Sequence, residues 1–248
     1  MSGKGKNAID MTGGSLWKNI LVFSLPLMMT QMLEVLFNLS DVAIAGKYAD
    51  YIALGAVGST ALLVSLFTGI LIGMGAGVNV RTAHQLGAEK TSGSSETVAR
   101  TVYSGLIVCL IIGIILCLVC NIFARPMLET LKTKDELIES AVLYLKIYAL
   151  GMPAMAVYNF GNGVLSACGE TKKPLVYLSI AGVLNVILNI FFVVVCKKAA
   201  DGVAIASVIA QYLSASMIMC HLLRRKDSCK LRLSNKYFDT SACGGVLM

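Results

Sequence analysis

The stretch LWKNILVFSLPLMMTQMLEVLFNLSDVAIA, residues 16–45, is the first long apolar segment of the chain and decides its fold class. It is longer than the ~20 apolar residues that cross the ~30 Å hydrocarbon core of a bilayer. Because lipid offers the backbone no hydrogen-bond partners, we expect this segment to cross the membrane as a helix. A proline inside a helix removes one hydrogen bond, so Pro26 is predicted to kink it.

The composition of the whole chain agrees with a membrane protein. Mean hydropathy is +0.76, and only 14% of the residues are charged, whereas soluble domains carry about 25%. The sequence therefore predicts an all-α, polytopic membrane helical bundle of six transmembrane helices. Its expected parts are a cytoplasmic tail (1–15), a transmembrane lobe (16–225) and a linker-like cytoplasmic tail (226–248). The predicted spans are 16–45, 52–80, 102–123, 141–165, 175–196 and 203–223.

The distribution of basic residues predicts how the lobe is oriented. Fourteen Lys and Arg residues fall on the side of both termini and six on the opposite side. By the positive-inside rule, both termini are expected in the cytoplasm, with the chain in the inner (plasma) membrane. The net charge of +7 is then explained by topology and anionic lipid headgroups. No basic patch with interleaved aromatic residues indicates nucleic-acid binding.

Four polar residues form a stripe along the first span. Gln31, Glu34, Asn38 and Asp41 follow the spacing i, i+3, i+7, i+10 and so share one helix face. A carboxylate near the bilayer core costs about 2.5–3.5 kcal/mol, and two carboxylates in one span favour a functional site. The alternative is that Asp41 lies near the interface and only caps the helix, because Lys47 follows closely.

Polar stripes also occur in later spans. They indicate either a partly hydrated cavity or interhelical hydrogen bonds worth about 0.6 kcal/mol each; the carboxylates of the first span favour the cavity. The stripe residues are Tyr144, Tyr148, Met155, Asn159, Asn162, Ser166, Asn185, Asn189, Ser207, Gln211 and Ser214.

Two further patterns have structural explanations. Gly69, Gly73 and Gly77 recur every four residues, which predicts close helix approach; the row lacks the strand and Lys-Ser/Thr of a phosphate loop.

Cys117 and Cys120 form a C-x-x-C in an apolar helix without a nearby His, which favours packing over metal binding. No cofactor and no metal site is expected.

Five segments carry a resemblance to a known family. They are LPLMMTQMLEVLFNLSDVAIAGKYADYIALGAVG (25–58), GILIGMGAGVNVRTAHQLGAEKTSGSSETVARTV (69–102), NGVLSACGETKKPL (162–175), NVILNIFFVVV (185–195) and GVAIASVIAQ (202–211). In this order and spacing the chain resembles the N-terminal six-helix half of a multidrug and toxic compound extrusion (MATE) transporter, of the DNA-damage-inducible subgroup.

The resemblance implies an H⁺- or Na⁺-coupled multidrug efflux antiporter that carries lipophilic cationic small molecules. Implied cation-coupling residues are Asp41, Glu34, Asn185 and Asn189. Implied substrate-cavity residues are Gln31, Asn38, Tyr148, Met155, Asn159, Ser207 and Gln211.

The chain departs from the family pattern in two residues and in length. Ser166 replaces a frequent Arg, and Asn189 stands where some members carry a second acidic residue, which leaves Asp41 as the main candidate. Members have two six-helix lobes and this sequence has one. We therefore expect either a piece of a longer protein or a lobe that pairs with a second copy.

Other functions are less consistent with these residues. A lipid-linked oligosaccharide flippase of the same superfamily would need basic residues in its cavity, and Lys146 is the only basic residue well inside a span. An inactive lobe is a further alternative. A membrane enzyme is not expected, since no intramembrane-protease motif is found.

Overall fold

The computed structural model describes residues 16–92, 95–225 and 227–231, and these residues form a helical bundle. Among these residues, five helices are long and apolar enough to cross a membrane, and the bent pair Asp135–Ala149 and Met152–Ala167 makes a sixth span. The predicted six-span membrane bundle is therefore confirmed. The helices are α1 (Leu16–Tyr48), α2 (Tyr51–Ser92), α3 (Ser95–Thr130), α4 (Asp135–Ala149), α5 (Met152–Ala167), α6 (Lys172–Ile190) and α7 (Ala200–Arg224).

The fourth span differs from the prediction, because it is two helices that meet at 45°. The break falls at Leu150 and Gly151, just before Pro153, whose ring removes a backbone donor from the new helix. The hydroxyl of Tyr212 donates to the exposed carbonyl of Leu150 (3.1 Å). Gly151 leaves room for α7, since a Cβ there would overlap Oε1 of Gln211. The polar stripe predicted on one helix therefore runs over two.

Helix α1 lies at the side of the bundle and packs against α2 and α6. It continues as one helix through Pro26, whose carbonyl accepts a hydrogen bond from Oγ1 of Thr30 (2.9 Å). It also continues to Tyr48, seven residues beyond Asp41, so Asp41 lies inside the helix and does not cap it. The outer face of α1 exposes large apolar side chains, including Leu21 and Met32.

The centre of the bundle is the packing of α2 against α3, α4 and α5. Gly75 and Gly163 bring α2 and α5 together: a Cβ on Gly75 would lie 2.6 Å from the carbonyl oxygen of Asn159, and one on Gly163 would overlap the Gly75 carbonyl. Gly69 and Gly73, from the predicted glycine row, instead have nothing within 4 Å of an added Cβ. The close approach is thus real, but it uses a different face of α2.

A buried cluster of ionisable side chains stabilises the end of the bundle where α5, α6 and α7 meet. Glu170, 5% exposed at its side chain, accepts from Nζ of Lys173 (2.7 Å) and lies 3.2 Å from Nη1 of Arg225 and 3.5 Å from Nε2 of His221. Burial raises the pKa of Glu170, but these cationic neighbours lower it more, so that its pKa lies below the ordinary value.

The segment after α7 folds back onto this end. The backbone N–H of Leu231 donates to the carbonyl of Leu222 (3.2 Å), and the hydroxyl of Ser228 donates to Glu89 (2.6 Å). Cys168 and Cys229 form a disulfide. The predicted tail 1–15 lies outside the described residues, as do residue 226 and residues 232–248 of the predicted tail 226–248.

Candidate functional site

A cavity of about 600 Å³, measured with its open mouth, lies among the membrane helices. Its walls come from α1, α2 and α4 to α7, and they combine two carboxylates, several amides and hydroxyls, and aromatic rings. The lining residues are Glu34, Phe37, Asn38, Asp41, Thr68, Tyr148, Met155, Tyr158, Asn159, Leu178, Ala181, Gly182, Asn185, Ser207, Ala210, Gln211 and Ser214.

Asp41 is the carboxylate most tightly held in this wall. Only 3% of the residue is exposed. Nδ2 of Asn189 donates to its Oδ1 (2.6 Å), and the hydroxyl of Ser207 donates to its Oδ2 (2.7 Å). Both oxygens of the carboxylate therefore have a partner, as a buried charge requires.

The same hydrogen bonds connect three helices into one network. Asn185 donates to the Ser207 hydroxyl (3.1 Å) and accepts from Asn189 (3.2 Å), so α1, α6 and α7 meet at Asp41. A carboxylate can take up a proton, and carboxylate, amide and hydroxyl oxygens together can coordinate a hard metal cation. Two residues beyond Asn189, α6 passes into a π-helical turn, Phe191–Val195, a feature frequent at functional sites.

A second wall of the cavity is more apolar. The hydroxyl of Tyr148 lies 3.9 Å from Sδ of Met155, and the amide of Asn159 donates to the Met155 carbonyl (3.0 Å). The hydroxyl of Tyr158 donates to the carbonyl of Pro174 (3.1 Å), which leaves its ring toward the cavity. Aromatic and thioether groups of this kind can contact an apolar cation.

Glu34 differs from Asp41 in its surroundings. It lines the same cavity, two helical turns earlier on α1. Its Oε2 is buried and has no hydrogen-bond partner among the described residues. The cavity lining holds no Lys, Arg or His within the part of the chain that the structure describes, so no protein cation in the wall balances this carboxylate.

The structure brings together most of the residues that the sequence singled out. Asn189 does not line the cavity, but its side-chain amide donates a hydrogen bond to Asp41. Gln31 lies on the exposed side of α1, away from the lining, and Lys146 is exposed on α4. Predicted residues that line the cavity are Glu34, Asn38, Asp41, Tyr148, Met155, Asn159, Asn185, Ser207, Gln211 and Ser214.

Several lining residues were not predicted. Phe37 and Tyr158 neighbour stripe residues on α1 and α5, and a wider helical face drawn around each stripe would have included them. Thr68 lies on α2, a helix in which no polar stripe was predicted. Sequence periodicity offered no signal for Thr68.

Comparison with known proteins gives consistent relatives. The family model MatE matches residues 26–191. Among curated proteins, the chain is 27% identical over 221 residues to "Probable multidrug resistance protein YpnP" of Bacillus subtilis, covering 88% of this chain and 48% of that protein. It is 25% identical over 203 residues to DNA damage-inducible protein F of Escherichia coli, covering 82% and 43%. The chain thus spans about half the length of the curated relatives it matches.

Solved structures agree at the level of the fold. The crystal structure of MATE in the bent conformation superposes with a TM-score of 0.84 at 22% identity, over 93% of this chain and 51% of that one. An outward-facing multidrug resistance MATE family transporter of the MOP superfamily gives 0.83 at 22% identity, over 98% and 53%. The bundle therefore has the fold of about half of these solved chains.

Proposed function

This chain belongs to the MatE family of membrane transporters, and we propose that it forms one lobe of a cation-coupled multidrug efflux antiporter. The observation that carries the proposal is the buried carboxylate of Asp41, held by Asn189 and Ser207 beside a cavity. The names of the relatives, among them multidrug resistance proteins, support small-molecule efflux. The coupling ion is H⁺ or Na⁺.

The coupling step takes place at Asp41. A bound proton or Na⁺ neutralises the carboxylate and rearranges its bonds to Asn189 on α6 and Ser207 on α7. Since these bonds join α1 to two other helices, the ion's arrival or departure shifts α1 relative to α6 and α7. Pro26 lies inside α1, where a missing backbone hydrogen bond makes bending easier.

The substrates are lipophilic cationic small molecules. Phe37, Tyr148, Met155 and Tyr158 give the cavity an apolar and aromatic wall, and aromatic faces attract cations. The lobe lies in the plasma membrane with both termini in the cytoplasm, as the bias of basic residues favours.

A second six-helix lobe closes the transport path. This is supported by the first relatives, which are about twice as long as the matched region. That lobe is either a continuation of a longer chain or a second copy of this one. The flippase alternative has no support in the cavity, whose described lining lacks basic residues.

The proposal is tested by Asp41→Asn in cells that express the chain together with its second lobe. Asn keeps the size and polarity of the side chain but cannot take up a proton or balance Na⁺. We expect ethidium efflux to fall to the level of cells without the transporter, at unchanged expression. The matched control is Asp135→Asn, at an exposed position in the first turn of α4, which should keep full efflux. Unchanged efflux in Asp41→Asn would contradict the proposal.

A further inference from the structure

We propose that Glu34 is the counter-charge for the substrate and that it selects cations carrying an N–H donor, such as protonated amines, over quaternary ammonium ions. This inference rests on the proposed function, because it names the substrate class of the same cavity. It also separates the two carboxylates of α1, with Asp41 serving the coupling ion and Glu34 serving the substrate.

The separation follows from the hydrogen bonds of the two carboxylates. Both oxygens of Asp41 accept from protein donors, Asn189 and Ser207. Glu34 as a whole is half-buried, but its Oε2 is buried and has no partner among the described residues. Seven residues separate the two positions, about 10 Å along the helix axis. A ligand can therefore reach Glu34 without displacing the network around Asp41.

The charge of the cavity determines the sign of this ligand. A buried carboxylate without a partner is costly, and buried charges in proteins are normally paired. Within the described chain no Lys, Arg or His lines the cavity to supply the pairing charge. The balancing charge therefore comes from outside the wall, and in the substrate-bound state the bound cation supplies it.

The unpartnered oxygen also determines the kind of cation. Oε2 is a hydrogen-bond acceptor and needs a donor at about 2.7–2.9 Å. Two hydroxyls of the cavity wall have other partners: that of Tyr158 donates to the carbonyl of Pro174, and that of Tyr148 lies against Sδ of Met155. A protonated amine supplies the N–H donor, whereas a quaternary ammonium presents only carbon to the oxygen. The aromatic wall attracts both kinds of cation, so Glu34 is the group that distinguishes them.

The experiment compares two probes on the purified full chain in detergent. One is a dansyl-tagged hexylamine, protonated at pH 7, and the other is its trimethylammonium analogue, with the same apolar body. Dansyl fluorescence reports binding of each. We expect the wild type to bind the amine about tenfold more tightly, the scale of one hydrogen bond to a charged group. Glu34→Gln should weaken amine binding and bring the two affinities within about twofold.

Two variants make the result specific to Glu34. Glu34→Asp keeps the acceptor charge and should retain a preference for the amine, and it remains informative if Glu34→Gln folds poorly. Glu136→Gln removes an exposed carboxylate outside the cavity and should behave like the wild type.

Three results would overturn the inference: equal affinities in the wild type, an undiminished preference in Glu34→Gln, or no binding of either probe. The proposed function is decided separately, by the dependence of efflux on Asp41. Asp41→Asn should lose coupling yet keep the amine preference, since Glu34 is intact. Selective binding together with efflux that ignores Asp41 would leave this inference standing and remove the proposed function.

Discussion

At the scale of single residues, Asp41 and Asn189 are an acid and an amide joined by one short hydrogen bond of 2.6 Å. The two side chains have the same shape, and they belong to different helices, α1 and α6. A carboxylate at either position, 41 or 189, could therefore take part in the same hydrogen-bond network. This gives a test of whether the charge or the particular residue is required.

We predict that exchanging the two residues restores part of what Asp41→Asn loses. In the double variant Asp41→Asn with Asn189→Asp, a carboxylate again lies beside an amide in the same place. Coupled efflux should recover to about a tenth or more of wild type, although the hydroxyl of Ser207 then faces an amide. Efflux is measured with ethidium in the same cells. A double variant as inactive as Asp41→Asn alone would show that position 41 itself is required.

The residues of the site were predictable where helical periodicity was enough. Glu34, Asn38 and Asp41 share one face of α1, and the structure places all three in the cavity wall. Gln31 has the same spacing but lies on the exposed side, because the cavity does not extend along the whole stripe. Ser207, expected in the substrate cavity, lines it and also donates to Asp41. Which helices face each other is a tertiary property that the spacing of one helix does not contain.

At the scale of elements, the existence of the membrane helices follows from hydropathy, but the break between α4 and α5 does not. A window of apolar residues has the same mean hydropathy whether it is straight or bent. The break depends on Gly151, Pro153 and the hydroxyl of Tyr212, which comes from α7. Glycine spacing likewise predicted a close contact of α2 but not that Gly75, rather than Gly73, would make it.

We predict that Gly163→Ala destabilises the lobe and that Gly73→Ala does not. An added Cβ at 163 would overlap the backbone carbonyl of Gly75, which cannot rotate away, whereas position 73 faces open space. Overpacking of this kind costs about 1–3 kcal/mol. Thermal unfolding in detergent should give a lower midpoint for the first variant. Equal midpoints for the two variants would contradict the observed α2–α5 contact.

The ion cluster at the ends of α5, α6 and α7 gives a pH-dependent prediction. Since the pKa of Glu170 is lowered in the folded state, its contribution to stability is present at neutral pH and is lost as the pH falls through that folded-state value. Glu170→Gln should therefore lower the free energy of unfolding by about 2 kcal/mol at pH 7, and the difference should shrink in strong acid.

This prediction is measured by thermal unfolding of the wild type and Glu170→Gln at pH 7 and at progressively lower pH. Glu136→Gln, at an exposed position, is the control and should match the wild type throughout. A Glu170→Gln deficit that stays constant as the pH falls would show that lost packing, and not the carboxylate charge, is responsible.

At the scale of the whole molecule, the orientation of the lobe follows from its basic residues. We predict that both termini face the cytoplasm. Single cysteines at Ser92 and Lys134, introduced into a cysteine-free background, should then differ in intact cells. An impermeant thiol reagent added outside should label position 134 and not position 92. The reverse pattern would mean the opposite orientation.

In the proposed mechanism, the cavity of one lobe becomes a transport path only when a second lobe faces it. The matched relatives are about twice as long as the aligned region. Activity is therefore expected from the two-lobe assembly, and Asp41 is expected to couple the ion to the substrate within it.

The most direct test is cation exchange in proteoliposomes that contain the two-lobe assembly and a pH-sensitive or Na⁺-sensitive dye. With an imposed ion gradient, adding ethidium should drive ion movement in the opposite direction with the wild type. We predict that Asp41→Asn abolishes this exchange while ethidium binding remains. Exchange at the wild-type rate in Asp41→Asn would contradict the assignment of Asp41 as the coupling residue.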